Sequence, residues 1–154
     1  MLGAMGRQAL FLLILSIAAA QAQDLSKLTK PGVTWQAGKA SRADVTCDGK
    51  PDKVLFGTGK KSVWVGILPG GGVNPQVGQV LQFGLDSGTQ DGFCAEPKRI
   101  TTSPISCSDE EMGKFPGCKV VKGCRDFTVE DGECDSFHFY WDADKKMVRW
   151  WRRQ

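Results

Sequence analysis

The sequence has a single histidine, a small net charge and no Cys-x-x-Cys pair. His138 is therefore the only side chain whose ordinary pKa lies near neutrality, so acid–base catalysis would fall to it. The formal charge of +3 becomes +2 without Arg7, which is too small and too dispersed to indicate nucleic-acid binding. Cys118 and Cys124, six positions apart, do not match the usual spacing of zinc ligands. Zinc sites and nucleic-acid binding are thus disfavoured.

Long hydrophobic runs are absent beyond the amino-terminal end. Residues 9–20 form an apolar run of about a dozen residues, short of the roughly 20 that a membrane-spanning helix needs. Arg7 precedes this run, and Ala20-Gln21-Ala22 offers the small residues that a signal peptidase recognises. We expect residues 1–22 to be a cleaved secretory signal peptide, the alternative being an uncleaved anchor. Residues 23–154 would then form one secreted or periplasmic domain, monomeric and without a transmembrane segment.

All six cysteines lie after residue 22. An even number of cysteines in an exported chain predicts three disulfides, whose connectivity the sequence leaves open. Four of the six fall between residues 107 and 134, so we expect that region to be rich in loops held by disulfides.

Helical periodicity is scarce, and the chain favours short strands joined by turns. Residues 53–56 and 62–68 are apolar runs separated by a glycine-containing turn, which predicts an antiparallel hairpin. Further strands are expected at 79–85, 125–129, 135–141 and 147–152. The predicted fold is mostly β: a small antiparallel β-domain with disulfide-stapled loops, too short for a β-propeller.

One short helix is expected, at residues 108–114. Ser108 is a suitable N-cap, and Glu111 three positions later would complete a capping box.

An acidic loop occupies residues 44–52, Asp-Val-Thr-Cys-Asp-Gly-Lys-Pro-Asp. Its aspartates stand at the first, fifth and ninth places and would converge if the chain turned tightly at Gly49. Carboxylate, hydroxyl and main-chain oxygens are the ligands that Ca²⁺ prefers. The alternative is an Asp-Gly turn in which the carboxylates accept hydrogen bonds from backbone N–H groups. A disulfide at Cys47 could also hold this turn without a metal.

The loop and the apolar run after it, residues 43–68, resemble one calcium-binding repeat of the FG-GAP or VCBS type. The resemblance implies a structural Ca²⁺ with side-chain oxygens from Asp44, Thr46, Asp48 and Asp52 and the main-chain carbonyl of Lys50. It covers about 25 residues, whereas β-propellers string several such repeats together. The stretch 134–141 also resembles the carboxyl-terminal ends of small exported bacterial proteins.

The carboxyl-terminal segment Trp150-Trp151-Arg152-Arg153 is a candidate binding surface, because tryptophan and arginine are enriched at contact sites. The alternative is the end of a final strand, with one indole packed inward and the other covered by arginine side chains.

The function expected is therefore a non-enzymatic exported module that binds a protein or glycan partner, with no catalytic residues. The alternative is a small secreted hydrolase that uses His138 with a nearby carboxylate. Ser136 lies two places away on the same strand face, roughly 7 Å from His138, which is too far for a nucleophile–base hydrogen bond.

Overall fold

The computed structural model describes residue 28 and residues 30–70, 78–86 and 88–153. The expected signal peptide lies outside the described residues. All regular structure described is β apart from a short 3-10 turn at Ala37–Lys39, so the mostly β prediction is confirmed. No helix in this part of the chain has the length and apolar character needed to cross a bilayer.

The first sheet contains the predicted amino-terminal hairpin. Strand β3 pairs antiparallel with β4, which pairs with β5, and β6 adds a short parallel edge beyond β5. On the other side of β3, the short strands β1 and β2 pair with its two ends. The strands are β1 (Thr34–Trp35), β2 (Ser41–Ala43), β3 (Asp52–Gly59), β4 (Ser62–Leu68), β5 (Gln79–Leu85) and β6 (Gly92–Phe93).

The second sheet holds the predicted carboxyl-terminal hairpin. Its strand order is β12-β11-β10-β7, with antiparallel neighbours throughout. A separate two-stranded ribbon, β8 with β9, lies between β7 and β10 in sequence. The strands are β7 (Arg99–Pro104), β8 (Ser108–Asp109), β9 (Gly113–Lys114), β10 (Arg125–Glu130), β11 (Phe137–Asp142) and β12 (Met147–Trp151).

The main core lies between the two sheets. Alternate residues of each strand point inward, because side chains on a strand alternate between its faces. Phe83 of the first sheet contacts Phe137 and Phe139 of the second, with ring centroids 4.7 and 5.9 Å apart. Phe127 stacks on Phe139 at 4.5 Å. Burying one such ring typically contributes about 1.5–3 kcal/mol, so this aromatic cluster holds the sheets together.

Three disulfides join the loops, as predicted. They pair Cys47 with Cys124, Cys94 with Cys134, and Cys107 with Cys118, and no described cysteine is free. Such a set is typical of an oxidising, extracytoplasmic compartment.

The prediction of a helix at residues 108–114 is wrong. Asp109 accepts hydrogen bonds from the backbone N–H groups of Glu111 and Met112, which closes a turn. Gly113 then takes a φ of 72°, and the chain returns as β9. The side chain of Asp109 thus competes with helical hydrogen bonding, and the Cys107–Cys118 disulfide closes the same loop.

Candidate functional site

The acidic loop connects β2 to β3 and is held by hydrogen bonds within itself. The Asp44 carboxylate accepts the N–H groups of Asp48 at 3.1 Å and Gly49 at 2.9 Å. Asp48 in turn accepts the N–H of Lys50 at 2.9 Å. Gly49 has a φ of 82°, the left-handed conformation that glycine adopts without strain. The predicted turn at Gly49 is therefore present.

Asp52 is the most enclosed member of the loop. Its side chain is fully buried, and one oxygen accepts the N–H groups of Val45 and Thr46, both at 2.8 Å. The other oxygen accepts the N–H of Gly70 at 3.0 Å. Burial raises the pKa of the Asp52 carboxyl, although the three N–H donors oppose that rise. Asp52 therefore ties the loop to the start of β3 and to the segment after β4.

These contacts bear on the proposed calcium ligands. Asp44, Asp48 and Asp52 all direct oxygens at backbone N–H groups, as the Asp-Gly turn alternative describes, and Thr46 is buried while Lys50 is exposed. Within the described ranges, no three His, Cys, Asp or Glu side chains are grouped to hold a metal ion. The carboxylates of the loop thus accept backbone N–H groups, as in the Asp-Gly turn alternative, and the calcium site stays a prediction.

The disulfide alternative for this loop is also realised. Cys47 bonds to Cys124, one residue before β10, so it fastens the loop to the second sheet. The adjacent Arg125 donates its N–H to the carbonyl oxygen of Asp44 at 2.8 Å.

The two carboxyl-terminal tryptophans point to opposite faces of β12, as their neighbouring positions require. Trp150 lies on the core side, at the rim of the sandwich, where its indole contacts the rings of Phe83 at 5.4 Å and Phe137 at 5.3 Å. It nevertheless keeps 39% of its surface exposed. Trp150 is thus an aromatic side chain at the surface that the core holds in place.

Trp150 and the turn between β8 and β9 form an open cavity of about 350 Å³. Met112, at the tip of that turn, is 49% exposed and lies across the cavity from the strand. We call this space the Trp150 cavity; its lining comprises Gln90, Asp91, Met112, Trp150, Trp151 and Arg152.

The two terminal arginines are engaged within the chain. Arg152 donates to the carbonyl oxygen of Gly92 at 2.6 Å, and its guanidinium lies 4.8 Å from the Phe137 ring. Arg153 pairs with Asp109 at 3.0 Å, and this contact lowers the pKa of the Asp109 carboxyl. Arg152 therefore fastens β6 to the end of β12, and Arg153 fastens β8.

A second cavity, of about 210 Å³, lies on the outer face of the second sheet beneath the loop that the Cys107–Cys118 disulfide closes. Phe115 holds this loop down by stacking on Tyr140, with centroids 5.0 Å apart, and the N–H of Ala143 donates to the carbonyl oxygen of Gly117 at 2.8 Å. We call the space the His138 cleft; its lining includes Asp109, Phe115, Asp126, His138, Trp151 and Arg153.

His138 is fixed in this cleft. Its ring stacks on Trp151 at 4.2 Å, and Nδ1 shares a hydrogen bond of 3.3 Å with the Thr128 hydroxyl. Burial, with a further contribution from the charge of Arg153, lowers the pKa of His138, so the imidazole is neutral at pH 7. Among the described residues, no carboxylate hydrogen-bonds this ring.

Asp126 is the second titratable group of the cleft. One carboxylate oxygen accepts the N–H of Ser106 at 2.7 Å, whereas the other is buried without a hydrogen-bond partner in the described part of the chain. Burial raises the pKa of Asp126 to about 6, since only one backbone donor opposes it.

Sequence reasoning identified Trp150 and His138 but missed Asp126 and Met112. Side chains alternate between the two faces of a strand along residues 125–130, so Asp126 lies on the face of β10 away from the core residue Phe127. The sequence therefore indicates only a polar surface position for Asp126. Asp126 lies in a cleft because the disulfide-bonded loop covers it, and no local sequence pattern predicts where that loop lies.

No protein-family model, curated protein or solved structure matches this chain. The resemblance of residues 43–68 to an FG-GAP or VCBS repeat therefore remains a prediction.

Proposed function

We propose that the protein is a non-enzymatic exported binding module, and that the Trp150 cavity receives a sugar ring of a glycan. The observation that carries the proposal is the exposed indole of Trp150, which packs against Phe83 and Phe137 and is therefore positioned before any ligand arrives. A preorganised aromatic surface binds with little loss of side-chain entropy. Three disulfides and the aromatic core supply the rigid framework behind it.

The distribution of apolar surface favours a glycan over a protein partner. The described large hydrophobic side chains that are exposed are Met112, Val120, Val121, Met147 and Trp150. Of these, Met112 and Trp150 line the Trp150 cavity together. A stable protein interface usually buries about 800 Å² per partner around a central apolar cluster, which two such side chains do not provide.

The polar groups of the cavity also suit a sugar. Gln90 and Asp91 line the same cavity, so hydroxyl groups at the edge of a stacked ring would find an amide and a carboxylate, one oxygen of which already accepts the Thr89 hydroxyl. Ligand pockets commonly combine an apolar surface with a few polar groups in this way, and about 350 Å³ lies within their usual size range.

Titration with neutral oligosaccharides tests the proposal. Soluble β-glucan, chitin and maltose oligomers would be added while indole fluorescence and Trp Nε1–H resonances are followed. We expect at least one series to perturb Trp150, and Met112→Ala and Trp150→Ala to weaken binding by about tenfold or more, the usual cost of losing a central contact.

Met147→Ala is the matched control. Met147 lies on β12 as Trp150 does, is 39% exposed as Trp150 is, and does not line the cavity. Melting temperatures separate lost binding from lost folding for Trp150→Ala. Equal losses for Met147→Ala and Met112→Ala, or binding to a protein but to none of the oligosaccharides, would contradict the glycan proposal.

The alternative function, a hydrolase, has only part of the catalytic arrangement that it would need. Thr128 contacts His138, yet that ring has no carboxylate hydrogen bond among the described residues to orient it, as a nucleophile–base–acid relay requires.

Calcium binding by the acidic loop stays a prediction drawn from the resemblance. Because backbone N–H groups already engage Asp44 and Asp48, a bound cation would have to displace them, and we expect it to add little stability. Calorimetric titration and melting with and without a chelator measure this. A large fall in melting temperature on chelation, absent in Asp48→Ala, would instead favour a structural calcium.

A further inference from the structure

The His138 cleft is separate in chemistry from the Trp150 cavity. It lies on the other face of β12 and is closed on one side by the disulfide-bonded loop. Its walls combine aromatic rings, Phe115 and Trp151, with titratable side chains. The centroids of these two rings are 5.1 Å apart, so they form a continuous aromatic wall.

The charges in the cleft are not balanced. Asp109 and Arg153 neutralise each other through a 3.0 Å ion pair. Asp126 has no ion pair among the described residues, and one of its oxygens accepts no hydrogen bond there. An ionised carboxylate enclosed without a partner is unfavourable unless something compensates it. Asp126 is therefore the one uncompensated charge that these contacts leave in the cleft.

The neighbouring groups indicate what would compensate it. Nε2 of His138 makes no hydrogen bond within the described chain, and it can accept one in the neutral tautomer whose Nδ1–H donates to the Thr128 hydroxyl. Trp151 and Phe115 line the cleft with aromatic carbon, against which an alkyl chain can pack. A small alkyl cation with several N–H donors matches all three features.

We propose that the His138 cleft binds a small organic cation, of the primary ammonium class, with its charge beside Asp126 and its carbon chain against Phe115 and Trp151. A cavity of about 210 Å³ limits the ligand to a small amine and excludes folded protein partners. Asp126 and His138 do not line the Trp150 cavity, although Trp151 lines both spaces, so a variant of Asp126 tests the cation proposal without changing the proposed glycan site.

Binding of the cation should depend on pH. Its charge favours ionised Asp126, so binding displaces the proton from that carboxyl and strengthens as pH rises through about 6. The other charged or titratable groups that act on this region are His138 on β11, Asp109 on β8, Arg153 after β12, Asp135 before β11 and Glu130 on β10. Asp109 and Glu130 have lowered pKa values, so they stay ionised across this interval.

Proton NMR provides the test, because the chain contains one histidine and its ring protons report on the cleft alone. Propylammonium, propanol and propionate would be titrated into the intact protein at pH 7. We expect propylammonium to shift the His138 Cε1–H resonance in a saturable way, and the other two to shift it little. Equal shifts from propanol, or no saturable shift from propylammonium, would overturn the proposal.

Asp126→Asn isolates the carboxylate. The amide oxygen can still accept the Ser106 N–H, so the loop contact is retained while the charge is lost. We expect propylammonium binding to weaken by about tenfold or more, the effect of losing one charged hydrogen bond. Asp144→Asn is the matched control, since Asp144 pairs with Lys119 at the surface and lies outside the cleft. Unchanged binding in folded Asp126→Asn would exclude Asp126 as the binding carboxylate.

Discussion

The indole of Trp151 stacks on the imidazole of His138 with centroids 4.2 Å apart and planes inclined by only 14°. This contact covers one face of the ring and separates it from water, and desolvation is the largest cause of the lowered pKa of His138. The same ring lines the His138 cleft, so its titration reports on the state of that cleft.

Removing the stacked indole should therefore raise the pKa of His138. In Trp151→Ala the imidazolium becomes better hydrated, and we expect its pKa to move toward the ordinary value of 6.5. An NMR titration of the Cε1–H resonance measures this. Trp150→Ala is the control, because its side chain occupies the opposite face of β12, and a similar shift in both variants would contradict the account.

Asp52 should be the most important aspartate of the acidic loop for stability. Asp52→Asn replaces an acceptor with an NH₂ group that faces backbone donors, and leaves at least one buried N–H unpaired. We expect a loss of about 2–4 kcal/mol in the free energy of unfolding, measured with guanidinium chloride. Asp48→Asn, at an exposed position, should cost less than about 1 kcal/mol. Equal losses would show that Asp52 does not anchor the loop.

The disulfide that fastens the acidic loop should contribute more stability than the one that closes the His138 cleft. Cys47 and Cys124 are 77 positions apart, whereas Cys107 and Cys118 are 11 apart. Loop-closure entropy assigns about 4.5 kcal/mol to the first and about 3 kcal/mol to the second. Denaturation of the two double-alanine variants compares them, and the reverse order would show that native contacts outweigh chain entropy.

Asp126 should make stability fall as pH rises from about 4 to 6. Its pKa is raised from 3.8 to about 6 in the folded protein, so the folded state binds the proton more tightly than the unfolded state. The resulting stability is present below pH 4 and is lost as pH passes through 6. After allowance for partial solvent screening, we expect Asp126→Asn to be more stable than the natural protein by about 1 kcal/mol at pH 7.

The two proteins should unfold with similar free energies at pH 4, since both then carry a neutral side chain at this position. Urea unfolding across this interval gives the difference directly. A constant difference at all pH values would mean that the effect arises from packing rather than from the titration of Asp126.

The two hairpins were predictable because their signals are local. β-branched and aromatic residues in 62–68, and the alternation of Phe137, His138 and Phe139, specify strands from near neighbours alone. The failed helix at 108–114 shows the limit of such signals. A capping pattern was present there, but the carboxylate of Asp109 closed a turn instead.

The sequence alone determined the class of the molecule: short strands, an even set of cysteines and a tight acidic turn, all of which depend on residues near one another in the chain. Tertiary structure decided which cysteines pair, how Asp52 is buried, and that a disulfide-bonded loop covers Asp126 and His138. These outcomes depend on contacts between residues tens of positions apart, because loop closure and sheet packing, rather than local preference, bring them together.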